Sequence, residues 1–262
     1  LYAKAEWFNP SGSVKDRAAL HIMRRAEEDG YLWPGMTLLD SSSGNMALAY
    51  AMLGKARGYK VVLCVPDKVG TDRIAQLRSL DAEVVLTAGA EGSDGAIRAA
   101  REIAKANPNY FYARQYDNPA NWQAYYETMA PEIWAQTQGQ VTDFLAVLGS
   151  TGTFIGATRR LRAFNPDIQC VAVQPATARE GIRGLKHIPT AIRPVIYNET
   201  VADTTVLITR AEADAMQEIL ASCEGLEVGS SAAAAVAAAV NHARTLKSGH
   251  VVTVLPDAPQ LI

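Results

Sequence analysis

Lys15 is the residue whose type and placement ask first for a chemical explanation. It stands in "NPSGSVKDRAA", residues 9–19, where Asn9, Pro10, Ser11 and Gly12 form a turn and the chain reads as helix from Ser13 onward. Ser13 with Asp16 three residues later approximates a capping box, and Ala19, Ile22, Met23 and Ala26 continue an apolar stripe at helical spacing. Lys15 therefore falls in the first helical turn, where the backbone dipole and the adjacent Arg17 both favour the neutral amine. A neutral amine is what a Schiff-base lysine needs. Val14 stands where a Walker loop needs glycine, and Gly12 occupies the serine place of a Ser-x-x-Lys pair. A solvated lysine beside a helix start is the plain alternative, and the lysine alone does not decide.

Two strand-to-helix loops add to it. In "DFLAVLGSTGTFIG", residues 143–156, a strand ends at Gly149 and a helix starts near Thr153. Backbone N–H groups and the hydroxyls of Ser150, Thr151 and Thr153, with Gly152 among them, can surround an anion at that helix start. The spacing of Gly149, Gly152 and Gly156 is not Gly-x-Gly-x-x-Gly, and the next strand ends in Gln174-Pro175 without a ribose-binding acid. A single phosphate monoester suits the loop better than a dinucleotide. In "DSSSGNMALAY", residues 40–50, Ser42, Ser43, Gly44 and Asn45 offer a second small polar loop able to take a carboxylate.

Other chemistry is sparse. His21, His187, His242 and His250 are scattered, without metal-ligand spacing or a cysteine partner, so no metal is expected. Cys64, Cys170 and Cys223 lie far apart, and the first two sit in apolar strand-like runs, which suits reduced thiols and a cytoplasmic setting. The net charge of −2 comes with no basic block, which argues against nucleic acid and anionic membranes as partners. No signal peptide or span-length apolar run is visible.

The elements that position these loops alternate. Strands are read at "MTLLD", "YKVVLCVP", "AEVVLT", "DFLAVLG", "IQCVAVQP", "TTVLI" and "HVVTVLP", with helices between them and a polar, aromatic stretch from Tyr110 to Trp134. Repeated βαβ units predict parallel sheets with helices on both faces. The chain's 262 residues, 48% of them hydrophobic, suffice for two such units. The expectation is an α/β protein of two three-layer domains, residues 1–118 and 119–262, with a ligand cleft between them. "YAKA" already reads as a strand in progress and "APQLI" stops without another element, so a lead-in strand and a C-terminal tail look missing.

In combination these segments resemble the fold-type II pyridoxal phosphate enzymes, more narrowly the cysteine synthase (O-acetylserine sulfhydrylase) branch, close to its B type. The resemblance runs colinearly through "NPSGSVKDRAA", "SSSGN", "QYDNPANWQAYYETMAPEIW", "GSTGTFIG", "GIRGLKH" and "EGLEVGSSAAAAVAAA". It implies that Lys15 forms the internal aldimine with pyridoxal 5'-phosphate and then serves as base and acid at the α-carbon. It implies that Asn45 meets the ring hydroxyl, that Gly149, Ser150, Thr151, Gly152 and Thr153 hold the phosphate, and that Ser231 meets the pyridine nitrogen. A neutral serine there would leave that nitrogen largely unprotonated and favour β-elimination over aminotransfer. Ser42, Ser43, Gly44, Met46, Gln115 and Gly184 fall at substrate-binding positions of the family.

The implied reaction is loss of acetate from O-acetylserine through an aminoacrylate, then addition of sulfide to give L-cysteine. A cystathionine β-synthase, a serine or threonine dehydratase and a weakened cofactor-binding scaffold are the alternatives within the same resemblance. The sequence departs from the family where Met46 replaces a threonine, Ala47 a glycine, Ala232 and Ala233 a serine and a glycine, and Ala124 a histidine. Phosphoserine is a further activated substrate to weigh; Arg183, Lys186 and His187 could meet its phosphate, with solvated surface charge as the plainer account. The resemblance also implies a homodimer and brings in a serine acetyltransferase as a partner.

Overall fold

A computed structural model describes residues 1–258. In chain order the elements are β1 (Tyr2–Ala5), α1 (Lys15–Glu28), β2 (Thr37–Ser41), α2 (Asn45–Arg57), β3 (Lys60–Pro66), α3 (Thr71–Ser79), β4 (Ala82–Thr87), α4 (Gly92–Ala106) and β5 (Tyr110–Tyr112). They continue with α5 (Ala120–Ala124), a π-helical stretch (Tyr125–Met129), α6 (Ala130–Gln136), β6 (Asp143–Val147), α7 (Gly152–Phe164), β7 (Gln169–Pro175), β8 (Thr204–Ile208), α8 (Arg210–Glu224), α9 (Ser230–Ala243) and β9 (Val251–Leu255). Strands such as β3 and β7 are apolar on successive residues rather than alternate ones, as strands covered on both faces are.

The chain divides into two units. Among the described residues, one comprises Leu1–Val14 with residues 121–258; the other is Lys15–Ala120. The first unit holds a sheet in the order β1-β9-β6-β7-β8, the second a sheet in the order β4-β3-β2-β5. Every ladder between these strands is parallel.

In the larger sheet Leu145, Val171, Val173 and Val251 pack under Ala234, Ala237 and Ala238 of α9 and Ala213 of α8. The alanine tract is a packed helix, buried continuously from Ser231 to Ala239, and its small side chains allow close approach to the strands. A full capping box, Thr209 with Glu212, starts α8. In the smaller sheet Leu39, Val62 and Cys64 face Ala96 and Ala100 of α4. Strand alternation turns Val61 the other way, onto α2, where Gly54 lies so close that a β-carbon would sit 2.2 Å from Val61 Cγ2. Among the described residues no helix is long and apolar enough to cross a membrane.

Three expectations need correction. The division at 118/119 puts residues 1–14 in the wrong unit, because β1 pairs with β9, not with the strands that follow it. Helix α1 begins at Lys15 rather than Ser13, and Ser13 instead forms an isolated antiparallel bridge with Asp257. The stretch from Tyr110 to Trp134 contains β5 and the helical run through α5 and α6. The buried residues of that helical run fall at Ala120, Asn121, Ala124, Tyr125, Met129, Ala130 and Ile133. The π-helical turn adds a residue between the second pair and the third, which breaks the 3.6-residue period, and Pro131 reads as a breaker. Of "APQLI", residues 259–262 lie outside the described residues.

Candidate active site

In the first unit the loop after β6 leads directly into α7. Thr151 is the N-cap of α7 with φ 72°, in the left-handed region that β-branched residues avoid. It is almost wholly buried, and its hydroxyl has no hydrogen-bond partner in the protein. α7 has no side-chain cap, so its first N–H groups are left for another acceptor. Strain held beside an unsatisfied buried hydroxyl marks a site built for a ligand rather than for stability. Asn121 supports the loop from α5: its Nδ2 donates to Ser150 Oγ at 3.2 Å. A β-carbon on Gly152 would meet Asn121 Oδ1 at 2.0 Å, and one on Gly156 would meet the Trp122 carbonyl at 2.0 Å. Both glycines are therefore required by packing. Thr153, half-buried, lies in the first turn of α7.

The other sites expected in this unit gather at the same end of the sheet. A β-carbon on Gly149 would stand 2.3 Å from the Gly184 carbonyl, and one on Gly184 would lie 3.8 Å from Ser231 Cβ. Gly184 has φ 85°, which glycine adopts without strain. Lys186 N donates to the Leu148 carbonyl at 2.8 Å, tying this segment to the end of β6. Ser231, in the first turn of α9, donates its hydroxyl to Asp257 Oδ1 at 3.0 Å. Arg183 is exposed, and His187 meets Thr190 Oγ1 at 2.8 Å. Lys186 is buried rather than a solvated charge, because the pairing with Leu148 draws it inward.

The second unit carries the serine loop. Ser42 and Ser43 are half-buried, Gly44 is the exposed N-cap of α2, and Asn45 opens the helix with no side-chain cap behind it. Met46 is buried, as is Ala47. Gln115 is attached to this loop: its Nε2 donates to the Ser41 carbonyl at 2.8 Å and its backbone N–H to Asp40 Oδ2 at 3.3 Å. Asp40 Oδ1 accepts from Ser41 N at 2.8 Å. Burial pushes the Asp40 carboxyl up to about 7, against the backbone bonds from Ser41 and Gln115 that favour its ionised form.

Lys15 is the residue at which the chain enters the second unit. Its neighbour Val14 is held on both sides, its N–H by the Pro256 carbonyl at 2.8 Å and its carbonyl by the Tyr125 hydroxyl at 3.3 Å. The turn before it closes with Gly12 N donating to the Asn9 carbonyl, Gly12 being at φ 82°. The lysine thus extends from a backbone fixed at its preceding residue. Burial pushes the Cys64 and Cys170 thiols up to about 11, so neither is a ready nucleophile.

The family model for pyridoxal-phosphate dependent enzymes matches residues 1–257. The chain belongs to that family. It is a pyridoxal-phosphate-dependent enzyme, and the cradle of Ser150–Thr153, with its unpaired Thr151 hydroxyl, fits the phosphate of that cofactor. The chain is 42% identical to a cysteine synthase of Aquifex aeolicus, covering 98% of this chain and 80% of the relative. Among solved structures it resembles a cysteine synthase of Entamoeba histolytica, with TM-score 0.91 and 32% identity over 98% of this chain and 78% of the other. It also resembles an O-acetylserine dependent cystathionine beta-synthase from Helicobacter pylori, with TM-score 0.93 and 32% identity over 98% and 86% of the two chains.

Asn121, Asp40, Tyr125 and Asp257 escape a reading of the sequence. Asn121 lies in "NPANW", residues 118–122, where nothing in the local pattern distinguishes it from Asn118. Asp40 is the penultimate residue of β2 and Asp257 lies just beyond the end of β9, near the strand ends where parallel sheets carry their sites.

Proposed function

We propose that the chain is a cysteine synthase, replacing the acetate of O-acetylserine, or the leaving group of another activated serine, with sulfide to give L-cysteine. The observation that carries this reading is the strained, unsatisfied Thr151 cradle in a chain similar to cysteine synthases over nearly its whole length. Bound pyridoxal phosphate supplies the electron sink for charge developing at the substrate α-carbon. Ser150, Thr151, Gly152 and Thr153 hold its phosphate, and Asn45 and Ser231 hold its ring. Lys15 anchors it, then takes a proton from the α-carbon and returns one there. Ser42, Ser43, Gly44 and Gln115 bind the substrate carboxylate, with Met46 and Gly184 beside them. The three unpaired cysteines, two of them buried, support placing the enzyme in the reducing cytoplasm. A homodimer and a complex with a serine acetyltransferase enter the proposal from the family resemblance alone.

The test is the visible absorption of protein purified with pyridoxal phosphate, for wild type and Lys15→Ala, before and after O-acetylserine. The expected result is a band that needs Lys15, changes with O-acetylserine and returns when sulfide is added, with cysteine as the product. No Lys15-dependent band in a folded protein overturns the reading. A second reading, with homocysteine as the sulfur nucleophile, is favoured by the similarity to the Helicobacter pylori protein. Mass spectrometry of the product formed with sulfide and homocysteine in competition separates the two.

A further inference from the structure

Tyr125 opens the π-helical turn and is fully buried. It lies along α7: a β-carbon on Gly152 would meet Tyr125 Cε2 at 3.2 Å, and one on Gly156 would meet its Cβ at 3.0 Å. Its hydroxyl donates to the Val14 carbonyl, 111 positions earlier in the chain, at 3.3 Å. Val14 is itself buried, and its N–H goes to the Pro256 carbonyl at 2.8 Å. Four residues before Tyr125, on the same helical face, stands Asn121, whose Nδ2 donates to Ser150 Oγ. One helical turn thus carries both a support of the loop after β6 and a tie to the residue before Lys15. The π turn begins at Tyr125, and such turns gather at functional sites.

We propose that Tyr125 is a positioning residue with two separable parts: its ring shapes the start of α7, and its hydroxyl, through Val14, fixes the backbone from which Lys15 extends. This rests on the proposed function, in which Lys15 anchors the cofactor and Ser150–Thr153 hold its phosphate. A lysine amine rides on a flexible four-carbon stem, so its placement depends on the backbone that carries it. Fixing that backbone reduces the freedom lost when the amine meets its partner. The phosphate is held from the loop and α7, so it senses the ring and not the hydroxyl. At 3.3 Å the bond to Val14 is long for an O–H donor, which sets the expected effect at a few-fold.

The experiment compares pyridoxal phosphate with pyridoxine 5'-phosphate, which has an alcohol in place of the aldehyde and forms no bond to lysine. Dissociation constants of both are measured by fluorescence titration for wild type, Tyr125→Phe and Tyr125→Leu, with melting temperatures in parallel. Tyr125→Phe should weaken pyridoxal phosphate by about 5-fold, the worth of one hydrogen bond, and leave pyridoxine 5'-phosphate within about 2-fold of wild type. Tyr125→Leu, which also removes the ring, should weaken both. A merely structural tyrosine would lower the melting temperature of Tyr125→Phe and affect the two ligands alike, and that result overturns the inference. Equal binding of pyridoxal phosphate to wild type and Tyr125→Phe also overturns it, and leaves the proposed function standing. Tyr125→Phe keeps the packed ring, so the test stays open should Tyr125→Leu fail to fold. Wild type that shows no Lys15-dependent band with pyridoxal phosphate overturns the proposed function, and this inference with it.

Discussion

Gln115 and Asp40, 75 positions apart in sequence, are joined backbone to carboxylate at the end of β2: Gln115 N donates to Asp40 Oδ2 at 3.3 Å. The other oxygen takes Ser41 N, and the Gln115 side chain returns to the Ser41 carbonyl, so one buried acid ties the serine loop to a residue assigned to the substrate. Both oxygens act as acceptors, which suits the ionised form, yet burial raises the carboxyl from 3.8 to about 7.

A pH dependence follows from that conflict. In the unfolded chain Asp40 is deprotonated above about pH 4. In the folded protein it keeps its proton to about 7, so between these values the native state binds the extra proton. Stability contributed by this group is therefore present at low pH and lost as pH rises through 7. Melting temperatures from pH 4 to 8 should show wild type losing ground against Asp40→Asn up to about 7, then running parallel. Below 7 the proton occupies an oxygen that Ser41 or Gln115 would use, so KM for the amino-acid substrate should rise on acidification in wild type, and less so in the variant.

Thr151 combines a left-handed backbone with a buried, unpartnered hydroxyl. Replacement by glycine releases backbone strain on the order of 1–3 kcal/mol, partly offset by the entropy of glycine. Thr151→Gly should thus stabilise the apoprotein by about 1 kcal/mol in chemical denaturation. On the proposed function it also removes a hydrogen bond to the cofactor's phosphate, so the cofactor dissociation constant should rise by roughly 10-fold or more in a fluorescence titration. Opposite changes in stability and affinity separate a ligand-binding role from a structural one.

Gly152 and Gly156 are both closed to a β-carbon, but what closes them differs. At Gly152 the obstacle is the Asn121 side chain, while at Gly156 it is the Trp122 backbone carbonyl. Gly152→Ala should push Asn121 away from Ser150 and weaken cofactor binding by about 10-fold, with a stability loss of about 1–3 kcal/mol. Gly156→Ala must move backbone, so its loss in thermal and chemical denaturation should be the larger of the two.

Met46 stands where the resembled family has a threonine, and its side chain is buried. Met46→Thr leaves a void and buries a hydroxyl, at a cost of about 2 kcal/mol in unfolding free energy. If the missing hydroxyl limits carboxylate binding, KM for O-acetylserine falls by about 10-fold in the same variant. Steady-state kinetics with a parallel melt check both signs.

The sequence by itself determined the alternation of strands and helices, the parallel sheets, and the loops that hold Lys15, Asn45 and Ser150–Thr153. Those features rest on local preferences: apolar strand runs, turn residues, and small polar residues at helix starts. Tertiary structure decided the rest. β1 joins β9, its partner from the far end of the chain, because a parallel ladder is chosen by available edges and not by sequence proximity. The helical run through Tyr125–Met129 was hidden because a π turn shifts its buried face by one residue. Asp40 and Asp257 look like ordinary surface acids until folding buries one beneath Gln115 and sets the other against Ser231. A carboxylate's chemistry depends on its dielectric surroundings and on the donors brought to it, and both are properties of the packed chain.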